Sequence, residues 1–116
     1  MMRPLEWTCE TLKERLAHSE NEHCEFKKAQ HGFDKDTLAE YCAALANEGG
    51  GDLVLGVVDK APRSIVGSSA FHDLNEVKLF LLDRLKIRVN VTELQCEGKR
   101  VIIFHAPTRP KGKADS

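Results

Sequence analysis

The chain has 116 residues, of which 41% are hydrophobic and 30% charged, and its formal net charge is -1. That length fits one domain with a real core, and the composition excludes a disordered chain. The near-neutral charge excludes a protein that coats nucleic acid through bulk positive charge, and leaves room for a local basic patch.

No segment approaches the roughly 20 apolar residues that span a bilayer. The longest apolar stretch, Leu53 to Val58, is the size of a strand, and the opening "MMRPLEW" carries no apolar run of the secretory kind. A cytoplasmic protein without a membrane partner is expected.

Thr8 to His18 reads as a short helix, with Leu12 and Leu16 at i, i+4, Thr8 as N-cap and Trp7 stapled beside it. "SENE" breaks it. In "EHCEFKKA" Cys24 and Phe26 alternate with Glu25 and Lys27, the period of a strand. After the loop "QHGFD", Asp34 or Asp36 caps a helix from Lys35 to Asn47, whose Leu38, Tyr41, Cys42 and Leu45 make one apolar stripe.

Leu53, Val54, Leu55, Val57 and Val58 form the almost unbroken apolar run of a strand buried on both faces. Asp59, Lys60 and Pro62 end it, and "SIVG" is a candidate short partner strand. Asp73, with Glu76 three residues on, caps a second long helix with a stripe of Leu74, Val77, Leu81 and Leu85. Ile87, Val89 and Val91 alternate with Arg88, Asn90 and Thr92 as a half-exposed strand. "CEGK" turns a hairpin at Glu97-Gly98, Val101 to His105 returns, and "RPKGKADS" is a small basic tail. The order predicts an α/β (α+β) fold: a mixed four- to five-stranded sheet, two main flanking helices and a short N-terminal helix.

The cysteines, Cys9, Cys24, Cys42 and Cys96, form no C-x-x-C pair, and the five histidines are scattered. This argues against zinc and predicts four reduced thiols, several of them in the core. His23, His31, His72 and His105 show no triad spacing.

Asn47, Gly49, Gly50, Gly51 and Gly56 bracket the buried strand. A phosphate-binding loop runs from strand into helix, whereas these glycines lead from helix into strand, and neither G-K-[ST] nor G-x-G-x-x-G is present. They read as a structural turn with close backbone packing. A small N–H nest for phosphate at Gly49 to Gly51 is the lesser alternative.

Taken in order, "ENEHCEFK", "LANEGGGDLVLGVVD", "IVG" and "VTELQCEGKRVIIFHAP" resemble the schlafen-type Alba-like DNA-binding domain. Its pattern is E-x4-E-F-K, a helix ending in A-N-x-x-G-G, and a strand ending in G-V-x-D. Here these are Glu20 to Lys27, Ala46 to Gly51 and Gly56 to Asp59. The resemblance spans about residues 5 to 107. Leu45 and Glu48 depart from the usual Phe and Thr, which concerns packing and the cap. The family continues into a further strand, so residues 1–107 are expected to be the domain and 108–116 a basic tail cut from a longer protein.

The resemblance implies the N-terminal DNA-binding domain of a transcriptional regulator of the kind labelled helicase-related. Vertebrate schlafens pair two such lobes around structured RNA, which implies a homodimer for a single copy. Some cleave tRNA and rRNA with three acidic residues, which match Glu20, Glu25 and Asp59. Such a trio would hold Mg²⁺ or Mn²⁺ and activate water against a phosphodiester. The ordinary reading, an ion pair for Glu25 and Lys27 and a turn for Asp59, is preferred to catalysis.

Lys27, Lys28, Lys35, Arg63, Arg109 and Lys111 are the candidate phosphate contacts, with Lys113 beside them; such contacts give affinity without sequence reading. Most aromatic residues fit core stripes, so a base-stacking platform is not supported. The expected function is a module that binds DNA or RNA. The alternatives are a metal-dependent endoribonuclease and a dimerisation module without nucleic-acid affinity.

Overall fold

The apolar run Leu53-Val54-Leu55 lies in the middle of the molecule because strands flank it on both sides and helices cover both its faces. The computed structural model describes residues 7–17, 23–60 and 63–108. In chain order the elements are α1 (Cys9–Ala17), β1 (Cys24–Lys27), α2 (Lys35–Asn47), β2 (Gly51–Leu55), α3 (Leu74–Leu85), β3 (Asn90–Cys96) and β4 (Lys99–Ala106).

The sheet order is β1-β2-β4-β3. β1 runs parallel to β2, with Phe26 beside Val54. β4 is antiparallel to both β2 and β3, with Phe104 between Leu53 and Val91. The fold is the expected mixed α+β class with four strands. "SIVG" contributes one bridge, Val57 to Ile65, instead of a strand.

Side chains alternate across a strand, which splits the core into two layers. Leu53, Leu55, Ile102 and Phe104 pack under Leu38, Cys42 and Leu45 of α2 and Val77 and Leu81 of α3. On the other face Cys24, Phe26, Val54, Val101 and Ile103 pack under Leu12 of α1, with Trp7 and Leu16 beside it.

The caps follow the sequence. Asp34, not Asp36, accepts the Thr37 N–H at 2.9 Å, and Thr8 and Asp73 accept from Thr11 and Glu76. Asp36 instead pairs with Arg84 at 2.9 Å and ties α2 to α3. Asp34→Ala is expected to cost about 1 kcal/mol in urea unfolding, the usual value of an N-cap.

Two expectations need correction. β3 starts at Asn90, so Ile87 and Val89 lie before it as buried connector residues beneath the α2–α3 layer. The four cysteines are not all reduced: Cys9 and Cys96 form a disulfide between residues 87 apart in sequence. The physical reason is tertiary. α1 crosses the end of β3 and brings the two Cα atoms to 5.6 Å, within bridging range. Cys24 and Cys42 are buried outside the disulfide, and burial pushes the Cys42 thiol up to about 12.

Candidate nucleic-acid interface

The strand period puts Glu25 and Lys27 on the α2 side of β1, next to Leu53 and Leu55 of β2. The Lys27 ammonium lies 5.0 Å from the ring centroid of Tyr41. Its pKa is raised, first by the Tyr41 hydroxyl; burial opposes this, and the charges of Glu25 and Asp59 add smaller upward contributions. One ammonium thus feels both carboxylates, although Glu25 sits within β1 and Asp59 follows β2 by four residues.

Glu20, the third member of the acidic trio, lies outside the described residues. Among the described residues no group of three His, Cys, Asp or Glu side chains is placed to hold a metal ion. Among the described residues, Lys27 therefore feels the charge of both Glu25 and Asp59, while Asp59 lies 3.8 Å from Arg63.

The basic candidates divide. Lys28 is exposed just past β1, and Lys35 is exposed at the start of α2, its ammonium 4.9 Å from the Phe80 ring. With Lys27 they flank the loop 28–34. Arg63 is differently placed: only 13% of its side chain is exposed, and its guanidinium stacks 4.9 Å over Phe26. It also donates to the Leu16 carbonyl at 3.4 Å and lies 3.8 Å from Asp59. These contacts place the Arg63 side chain on the α1 side of the sheet. Arg109, Lys111 and Lys113 lie outside the described residues, with the rest of the basic tail.

Asn47 is the last residue of α2, and Gly49 and Gly50 turn the chain with φ of +101° and +96°. Their N–H groups bond back to Ala46 and Leu45 carbonyls at 3.3 and 2.8 Å. Those two donors are therefore not a phosphate nest, and the structural turn is what the structure shows. Gly51 opens β2, and Gly56 follows its last residue.

The sequence reading missed three residues or pairs. Tyr41 belongs to the apolar stripe, yet the Lys27 ammonium lies over its ring and its phenol oxygen is the acceptor that raises the lysine's pKa; a phenol in an otherwise aliphatic stripe is the signal, since its polar tip seeks a polar neighbour. Arg100 pairs with Glu93 and donates to the carbonyls of Ser68, Ala70 and Phe71, fastening the 68–71 segment to β4. Asp52 and His105 meet across β2 and β4; no local spacing reveals a pair 53 residues apart.

Among the described residues no helix is long and apolar enough to cross a membrane. In fold the chain is similar to the solution structure of the N-terminal domain of a protein related by name to the ATP-dependent DNA helicase RecG, from Nitrosomonas europaea. The identity is 23% and the TM-score 0.63, over 94% of this chain and 79% of that one. It is also similar to the crystal structure of the DIP2311 protein from Corynebacterium diphtheriae, at 19% identity and a TM-score of 0.63. That match covers 85% of this chain and 24% of the other, so this chain spans about a quarter of that protein's length. No curated protein matches. The family model described as "Schlafen, AlbA_2" matches residues 20–115, which takes in β1, the glycine turn, the buried strand and the closing hairpin, and the chain belongs to that family.

Proposed function

We propose that this domain is a nucleic-acid-binding module and that it serves as the N-terminal DNA-binding part of a transcriptional regulator. The observation that carries this reading is family membership over residues 20–115. Lys27, Lys28 and Lys35 around the loop 28–34 support it as the cations a phosphate would meet at that corner, where Glu25, Asp34, Asp36 and Asp59 also stand. A cytoplasmic location accords with this role. So does a homodimer, in which the second copy adds a second lobe; sedimentation that shows only monomer at high concentration contradicts the dimer.

The test is fluorescence polarisation with a labelled RNA hairpin and a labelled DNA duplex. Three phosphate contacts predict an affinity loss of about 20- to 40-fold between about 50 and 200 mM salt. Lys28→Ala with Lys35→Ala should flatten the salt slope by roughly two contacts. Absence of binding to both probes at low salt sinks the proposal.

The shared influence of Glu25 and Asp59 on Lys27 favours a second reading, metal-dependent RNA cleavage with Glu20 as the further ligand. Mg²⁺ or Mn²⁺ held there would polarise the phosphodiester and activate water. End-labelled tRNA incubated with Mn²⁺ should then be cut by the native chain and spared by Glu25→Ala. Intact tRNA in every lane removes this reading and leaves the binding module.

A further inference from the structure

Asp52 is the only charged residue within β2. It shares a face with Cys24, Phe26 and Val54 and is only 9% exposed. A carboxylate in such a layer is costly unless it is paired. His105, its neighbour on β4, supplies the partner: the Nδ1–H donates to Asp52 Oδ1 at 2.6 Å. The histidine side chain is itself 53% exposed. With Nδ1 committed to Asp52, the opposite ring nitrogen, Nε2, is turned away from the carboxylate and toward the rim.

This pair lines an open hollow of about 320 Å³ at the start of β2, together with Arg15 of α1, His23, Thr108 and the glycine turn. Two of the carbonyls there are taken. The Gly50 carbonyl accepts from His23 Nδ1 at 3.0 Å, and the Gly49 carbonyl accepts from the Thr108 hydroxyl at 2.7 Å. The last carbonyls of α2 accept from the N–H groups of Glu48, Gly49 and Gly50. Asp52 has His105 Nδ1 as its partner. Two further groups face the same hollow: the Arg15 guanidinium, stacked 5.2 Å over Trp7, and the ring of His105, whose Nε2 is not used by Asp52. A guanidinium and an imidazole nitrogen that takes a proton as the ligand binds match the oxygens of a phosphate group.

We propose that this hollow is a phosphate-binding site, with Arg15 and His105 as its donors and Asp52 as the positioning residue that fixes the imidazole. The ligand class is a phosphate monoester or diester, carried by a mononucleotide or by a nucleic-acid backbone. The site lies at the start of β2, whereas the lysine corner adjoins the end of β1, beside Leu55 at the end of β2. The two therefore stand or fall separately.

The test follows the His105 ring resonances by NMR at about pH 6, just below the ordinary range of a free imidazole. Inorganic phosphate, adenosine monophosphate and a dinucleotide with only an internal diester are titrated in turn. A saturable shift with a midpoint near 1 mM is expected. A response to the monoester alone identifies a terminal phosphate, and a response to the dinucleotide as well identifies a backbone phosphate; either supports the site. Arg15→Gln, which leaves the Asp52–His105 pair in place, should weaken binding about ten- to a hundredfold. His105→Gln should do the same as read at the Arg15 side chain. No saturable shift in the native chain, or a shift unaltered by Arg15→Gln, overturns the proposal. A chain that binds RNA in a salt-dependent way yet shows no phosphate response at His105 keeps the proposed function and loses this site.

Discussion

Reduction of the Cys9–Cys96 bond, or Cys96→Ser, is expected to lower the unfolding free energy by about 4–5 kcal/mol. The bond joins residues 87 apart, and closing so long a loop removes a large part of the conformational freedom of the unfolded chain. It also fastens the helix that covers the second sheet face. Leu12 of α1 is fully buried against Cys24, Phe26 and Val54, and α1 makes its main contacts with the end of β3. The Lys13–Glu97 ion pair beside the bond is exposed and cannot replace it, although each partner shifts the other's pKa as a pair should, the lysine up and the carboxylate down. Urea unfolding with and without reductant measures the effect, and the midpoint should fall by about 2 M or more. Equal midpoints would show that the bond is not part of the native fold. In a reducing cytoplasm such a bond is opened, so the same comparison gives the stability the domain keeps there.

Gly51→Ala is expected to cost about 3 kcal/mol or more. A Cβ at Gly51 would lie 2.5 Å from the His23 carbonyl oxygen and 2.9 Å from Leu45 Cδ2. The leucine tip can rotate; the carbonyl cannot move cheaply, because it accepts the Asp52 N–H at 2.8 Å and so begins the β1–β2 pairing. Relief requires β1 to shift away from β2, an overpacking strain at the upper end of the usual range. A fall of about 12 °C or more in Tm is expected, against a smaller effect for Gly98→Ala, where nothing lies within 4 Å and only the left-handed backbone opposes the change. A Tm within about 2 °C of the native value would mean that the glycine turn is looser than the structure has it. The same shift would displace His23 and Asp52, so the variant should also lose the His105 phosphate response.

The elements that read correctly from the sequence owe their form to local chemistry. The Leu53–Leu55 run is buried on both faces, the α2 stripe packs on the sheet, Asp34 and Asp73 cap their helices, and Glu97-Gly98 turns the hairpin. The residues that misled or escaped depend on which strands become neighbours. Ile87 and Val89 alternate as a strand does, yet they are buried before β3 begins, because alternation marks an extended chain and not its hydrogen bonds. Arg63 looks like any surface cation until the structure stacks it on Phe26. Cys9 meets Cys96, and Asp52 meets His105, only through the crossing of α1 and the β1-β2-β4-β3 order. The candidate site was legible only as residue types: Glu25 and Lys27 stand in the motif, and Lys28 and Lys35 are basic residues near the first strand and helix. The role of Tyr41 beside Lys27 required the packing of α2 on β2 and β4, next to β1.

The most direct measurement is backbone amide shift mapping of the labelled domain titrated with an RNA hairpin and, separately, a DNA duplex. Saturable shifts centred on Lys27, Lys28 and Lys35 and the loop between them are expected, with one ligand favoured and the response lost at high salt. Amides that stay unmoved by both ligands at low salt, or that move only at sites remote from this corner, would contradict the nucleic-acid-binding role.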